Sequence, residues 1–276
     1  MTEPLRPKAF AAAEAVAARR ALLGQRHLRP FEPYLVRLRA EFGAVPDPDP
    51  LDGGASARLL LLLETPGPSI GRSGLVSRDN PTGTAANLFG FLNEAGIDRR
   101  DTLIWNAVPW VIHAPGATNR APRPAEIRAG LASLPDLLAL LPRLSVVVLS
   151  GRVAGLASPI FAENRPDLPV LTMPHPSPTY LCTSPAHPAR CRAVLEAAAL
   201  LLNRVKLDHD ALHPLPCGEG RADAKRSAEV EVGTSETGLS SHTPSDPHPA
   251  LRSAPATLPS GHGRRRGRAH DQRSAN

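Results

Sequence analysis

The sequence predicts an α/β fold, a three-layer α/β/α sandwich around a four-stranded parallel sheet, on three observations. Short apolar runs at 58–64, 101–108, 144–151 and 168–174 have the continuous hydrophobicity of strands covered on both faces. Helical patterns at 84–96, 123–142, 151–163 and 184–206 alternate with them, which is the rhythm of βαβ units. Three of the runs give way to turns that carry polar side chains: Glu64-Thr65-Pro66-Gly67-Pro68, Asn106-Ala107-Val108-Pro109-Trp110 and His175-Pro176-Ser177-Pro178. Ligands of open α/β sheets bind outside the carboxyl ends of the strands, so these three endings can converge on one pocket.

The elements follow in chain order. Residues 8–43 are rich in Ala, Leu and Arg and read as one or two helices broken near Arg29-Pro30, with a turn-rich connector at 45–50. Residues 1–50 therefore form an N-terminal helical segment and connector, and 51–206 the α/β domain. Thr84 is placed to cap a helix carrying Leu88, Phe89 and Leu92 on one face, and Gly96 to end it in a left-handed turn. Ser184-Pro185 supplies a cap and a first-turn proline for the last helix. From Leu207 to Asn276 there is no aromatic residue and only eight of Val, Ile or Leu, while Pro, Ser and Arg are frequent. Such a stretch buries too little surface to offset its ordering entropy, so 207–276 is expected to be a disordered tail.

That tail holds nine Lys or Arg and nine Asp or Glu, so the net charge of +6 belongs to residues 1–206. A basic folded part suits a polyanion such as nucleic acid, because each phosphate neutralised releases counterions. Only three of the 32 basic residues are Lys, so part of this charge reflects a bias toward Arg. The three cysteines, at 182, 191 and 217, follow neither a disulfide pattern nor a metal-site pattern. No apolar segment reaches the ~20 residues of a membrane span, and Glu14, Arg19 and Arg20 interrupt any signal-like core. The expectation is a cytoplasmic monomer with no membrane partner, no metal and no cofactor.

The strand-end motifs resemble those of the uracil-DNA glycosylase superfamily, over about residues 56–206. Glu64-Thr65-Pro66-Gly67 looks like the family's first motif, Gly-Glu-Ala-Pro-Gly in the family 4 branch and Gly-Gln-Asp-Pro-Tyr in the classical branch. His175-Pro176-Ser177-Pro178 matches the closing His-Pro-Ser-Pro at all four positions, and Asn106 falls where the family keeps its base-reading asparagine. The resemblance is to a divergent member: the family 4 iron–sulfur cysteines are missing, Thr65 replaces the classical aspartate, and Leu75-Val76 stands where a stacking phenylalanine is expected.

The resemblance implies a monofunctional glycosylase that hydrolyses the N-glycosidic bond of uracil in single- or double-stranded DNA and leaves an abasic site. An enzyme acting on a base takes it out of the stack and reads its Watson–Crick edge. The Asn106 amide can donate to uracil O4 and accept from N3–H, whereas cytosine presents the opposite pattern. His175 would support the negative charge growing on O2, and Ser177 would contact a phosphate. Glu64 or Asp79 would orient water and stabilise the oxocarbenium ion, as carboxylates do in glycoside hydrolysis. Thr65, Pro66, Gly67 and Asn80 would shape the pocket, with glycine letting main chain approach the ligand. Tyr180 and Leu181 would wedge into the stack, and Arg190 and Arg192 would meet phosphates. Two competing readings stand beside this one: excision of another deaminated base, hypoxanthine or xanthine, and a noncatalytic DNA-binding module on the same fold.

Overall fold

The computed structural model describes residues 6–212 apart from 115, 116 and 118, with side chains described as far as Arg204. A 3₁₀ turn at Ala9–Ala11 leads into α1 (Ala13–Arg20), and a second at Arg29–Phe31 leads into α2 (Glu32–Phe42). There follow β1 (Asp47–Pro48), β2 (Leu59–Leu63), α3 (Ile70–Ser73), β3 (Leu75–Val76), α4 (Gly83–Glu94) and β4 (Thr102–Asn106). The second half runs α5 (Pro124–Ala132), α6 (Leu134–Ala139), β5 (Val146–Ser150), α7 (Gly151–Gly155), α8 (Ser158–Asn164), β6 (Val170–Met173), α9 (Pro178–Leu181) and α10 (Ala186–Leu212).

The main sheet has four parallel strands in the order β4-β2-β5-β6. Leu59 to Leu62 and Val146 to Leu149 are wholly buried, as central strands covered on both faces must be. Helix α10 packs on β5 and β6 and against α4, while α7 packs on β2, β5 and β6. The N-terminal segment shares this core: Phe31 of the second 3₁₀ turn and Tyr34, Leu35 and Leu38 of α2 are buried in it, and the Tyr34 and Trp105 rings lie 6.3 Å apart.

Several local boundaries differ from the sequence reading for identifiable reasons. The cap of α4 is Thr82, whose hydroxyl accepts from the Ala85 N–H at 3.1 Å; Thr84 lies inside the helix. The patterns at 123–142 and 151–163 each split in two, with Pro135 and Pro159 in the first turns of α6 and α8. In the connector, β1 pairs in parallel with β3, a two-residue contact too short to carry periodicity. Gly96 does take the left-handed conformation, at φ 65°, and the Ser184 hydroxyl accepts from the Ala186 N–H at 3.2 Å. Helix α10 continues to Leu212, past the expected end at 206. The rest of the tail lies outside the described residues.

A buried ionic cluster ties the N-terminal segment to the sheet. Asp49, Asp52 and Asp79 are each at most 1% exposed. Arg19 of α1 reaches Asp49 at 2.6 Å and Asp79 at 2.9 Å. Arg99, just ahead of β4, reaches Asp49 at 2.6 Å and both Asp52 and Asp79 at 2.9 Å. Arg78 lies 3.7 Å from Asp52 and donates to the Thr102 hydroxyl, and the Ser77 hydroxyl donates to Asp49. Removing one partner from such a buried set strands its opposite charge without water.

Arg99→Met should therefore destabilise the protein by about 3–5 kcal/mol in urea unfolding, whereas Arg37→Ala, which breaks the exposed Arg37–Asp136 pair, should cost about 1 kcal/mol or less. Complete burial pushes the Asp52 carboxyl up from 3.8 to about 7, against the pull of Arg78 and Arg99. The native state then holds a proton that the unfolded chain has released, so this group's contribution is lost as pH rises from about 4 to about 7. Asp52→Asn has no such loss, and its stability relative to wild type should rise across that window.

Candidate active site

The four strands of the main sheet end together, and a cleft of about 820 Å³ opens at their carboxyl edge. Leu63 pairs with Asn106 across β2 and β4, and Ser150 with Met173 across β5 and β6, so the residues that follow emerge at one level. From β2 come Glu64, Thr65, Pro66 and Gly67, from β4 Asn106, from β5 Gly151 and Arg152, and from β6 Pro174 and His175. An aliphatic wall of Ile70, Val76, Leu88 and Ile104 completes the cleft.

Asn106 is 3% exposed, and its amide has no hydrogen-bond partner among the described residues although it borders the cleft. At the cleft wall such an amide offers a donor and an acceptor side by side to the polar edge of a ligand. The main chain around it is firm: the Ala107 N–H donates to Leu63 O at 2.8 Å and the Val108 N–H to Glu64 O at 3.0 Å.

His175 is partly buried, and burial pushes its pKa below 6.5. The Ser177 N–H donates to its Nδ1 at 3.2 Å. That contact makes Nδ1 the acceptor and assigns the proton of the neutral ring to Nε2. The loop that carries it is clamped. Asn87 of α4 donates from Nδ2 to Pro176 O at 2.8 Å, and a Cβ on Gly83 would lie 2.3 Å from Pro178 Cγ. On the other side Gly151, at φ 86°, lets the main chain seat the imidazole, since a Cβ there would lie 3.0 Å from His175 Cβ and 3.4 Å from Cδ2.

Glu64 is half-buried at the cleft wall. Desolvation pushes its carboxyl above the ordinary glutamate value, and Arg152 draws it back. The turn after it is held from below, where His113 Nε2 lies 3.3 Å from Pro66 O as its donor.

The cleft thus gathers Glu64, Thr65, Pro66, Gly67, Asn80, Asn106, His175 and Ser177, with Tyr180 and Arg190 at its rim. Asn80 is committed to structure: the Ser73 hydroxyl donates to its Oδ1 at 2.7 Å, and its Nδ2 donates to Leu75 O at 2.9 Å. Three expected site residues lie elsewhere. Asp79 does not line the cleft, because its carboxylate is wholly buried between Arg19 and Arg99. Leu181 is 8% exposed and belongs to the hydrophobic core, so it cannot project into a base stack. Arg192 bridges α10 to α4 through Glu94 at 2.6 Å and lies 5.1 Å from the Phe91 ring centre. Sequence reasoning misses Gly151 and Arg152, although they stand at the end of the apolar run 144–151, because neither gives that strand end a polar turn like the other three.

A family model described as the uracil DNA glycosylase superfamily matches residues 50–199, more than half of the chain. The chain belongs to that superfamily. Membership supports a DNA glycosylase hydrolase at the superfamily level. Among solved structures, Pedobacter heparinus SMUG2 is 13% identical, over 55% of this chain and 77% of that one, with a TM-score of 0.42. A mimivirus UNG variant in complex with UGI is 16% identical, over 63% and 71%, with a TM-score of 0.30. No curated protein matches the chain. Among the described residues, no group of three or more His, Cys, Asp or Glu is arranged to hold a metal ion, and no helix is long and apolar enough to cross a membrane.

The seat of His175 makes a prediction independent of substrate. In an NMR pH titration its ring should titrate below 6.5. Gly151→Ala, by pushing the ring toward water, should return the midpoint toward 6.5; an unchanged midpoint would show that Gly151 does not position the ring.

Proposed function

We propose that this superfamily member hydrolyses the N-glycosidic bond of uracil in DNA. The observation that carries the reading is the Asn106 amide, at the cleft wall with no side-chain hydrogen bond among the described residues, sharing that cleft with a neutral, Nε2-protonated His175. An amide that donates at one atom and accepts at the other complements the O4 and N3–H of uracil and opposes cytosine. A site built to pair with particular polar atoms rejects a base that leaves them unpaired.

Breaking the C1′–N1 bond sends its electron pair to the base, whose charge spreads to O2, and leaves an oxocarbenium ion on the sugar. His175 Nε2–H donates to O2 as that charge grows, and a neutral ring does so without first giving up a proton. The ionised Glu64 carboxylate stabilises the cation and aligns the water that attacks C1′; the water's proton passes to the carboxylate or to solvent. Thr65, Pro66 and Gly67 floor the pocket, Ser177 and Arg190 meet the DNA backbone, and Asn80 shapes the wall through the bonds that occupy its amide. Asp79 holds the fold.

A second reading within the same chemistry rests on the cleft wall, where Ile70 and Val76 border the space and Leu75-Val76 replaces the expected stacking ring. A roomy aliphatic wall admits a purine, so hypoxanthine and xanthine belong in the assay. On oligonucleotides carrying one damaged base, uracil release should fall by about 10²–10³-fold in His175→Ala and in Asn106→Ala. The acid limb of the wild-type pH profile should lie above 4.5, because base release needs ionised Glu64 and burial raises its pKa. Release of a purine alone would keep the site and change the substrate. Binding of DNA without release of any base would favour the noncatalytic module.

A further inference from the structure

The rim beyond His175 carries an arrangement that the base-excision chemistry does not use. Tyr180 is 46% exposed, and its ring stacks on His187 with centres 4.6 Å apart and planes 28° apart. Both rings border the cleft. Arg190 follows His187 by three residues on α10, hence on the same helix face, and also borders the cleft. The Tyr180 backbone is fixed, since its N–H donates to Ser177 O at 3.0 Å and its carbonyl accepts from the Thr183 hydroxyl at 2.7 Å. Leu181 anchors the same short helix in the core.

An exposed aromatic ring held flat by an intramolecular stack loses little freedom when a third ring is added to it. Bases of any sequence offer a π face to such a surface, and an arginine beside it adds charge for the backbone. Of the large hydrophobic side chains exposed among the described residues, only Tyr180 borders the cleft, and its ring lies against His187 instead of standing free as a wedge. Extruding a base from a duplex costs both its pairing and its stacking, and a side chain inserted into the gap normally offsets part of that cost. A base in a single strand has no partner to lose.

We propose that Tyr180, His187 and Arg190 form a stacking platform for the nucleotide adjoining the extruded one, and that the substrate is unpaired DNA. This rests on the glycosylase reading of the cleft. The platform replaces the wedge of Tyr180 with Leu181 expected from the sequence, in which Tyr180 would enter the base stack instead of receiving a base on its face.

The test uses the full chain and one sequence carrying a single uracil as a single strand, in a bubble, and in duplexes opposite adenine and opposite guanine. Single strand and bubble should be processed alike, with both duplexes at least about tenfold slower, given the added cost of unpairing. Tyr180→Ala and His187→Ala should raise KM on the single strand by about 5- to 100-fold, the range for loss of one base stack. Tyr180→Phe should restore the wild-type KM because it keeps the flat ring, and Tyr180→Leu should not. Duplexes processed as fast as the single strand, an unchanged KM in the alanine variants, or wild-type behaviour of Tyr180→Leu would each overturn the proposal while leaving the glycosylase assignment intact. If no oligonucleotide loses its base, the glycosylase reading fails. The platform is then decided by the Kd for the same single strand, which Tyr180→Ala must weaken by the same factor for it to stand.

Discussion

The parallel register of β2, β4, β5 and β6 is the constraint from which the rest follows. The central strands β2 and β5 are apolar over most of their length because both sheet faces are covered there, and Leu59 to Leu62 see no solvent. A slip of one residue in any strand would turn its side chains to the opposite faces and move its exit from the sheet by a residue. The cost of such a slip is set by the whole core, while the reward is local. Glu64, Asn106, Gly151 and His175 come from four strands spread over more than a hundred residues, and the register brings them to one edge. From there the closing loop is tuned by contacts of single atoms. Asn87 holds its carbonyl, Gly83 admits Pro178, and Gly151 seats the imidazole.

The buried ionic cluster is a second organising feature with a different energetic character. Ion pairs deprived of water gain little over well-packed apolar residues, because desolvation offsets most of the attraction. What the cluster supplies is geometry: Arg19, Asp49, Asp52, Asp79 and Arg99 face one another at ion-pair distance in one arrangement of α1, the connector and the turn before α4. That turn also carries Asn80 at the cleft wall. Arg19 lies ahead of the residues that match the superfamily, so a segment outside the family pattern completes the support of a loop at the cleft.

Legibility in the sequence divided along physical lines. The four strands of the main sheet, their parallel arrangement and three strand-end motifs are readable because continuous apolar runs and Pro/Gly turns are local signals. The helix breaks at Pro135 and Pro159 are not decided by the prolines themselves, since proline in a first turn starts a helix as readily as it interrupts a longer pattern. Asp79 is ambiguous in sequence because its partners, Arg19 and Arg99, are distant, and nothing near Asp79 distinguishes a buried ion pair from a pocket carboxylate. Leu181 and Arg192 depended on which face of a helix turns inward, and near the junction of α9 and α10 the pattern is too short to say. Gly151 carries no polar group to notice, and its role exists only once His175 lies against it.

Asn106 and His175 are proposed to grip opposite sides of one extruded base. The most direct measurement is a crystal structure with a single-stranded oligonucleotide carrying 2′-fluoro-deoxyuridine, whose fluorine disfavours the oxocarbenium ion and preserves the bond. The account predicts the uracil ring in the cleft, its O4 and N3–H on the Asn106 amide, O2 on His175 Nε2, and C1′ facing Glu64. A strand bound across the surface with its uracil outside the cleft, or a base in the cleft that leaves the Asn106 amide unpaired, would contradict it.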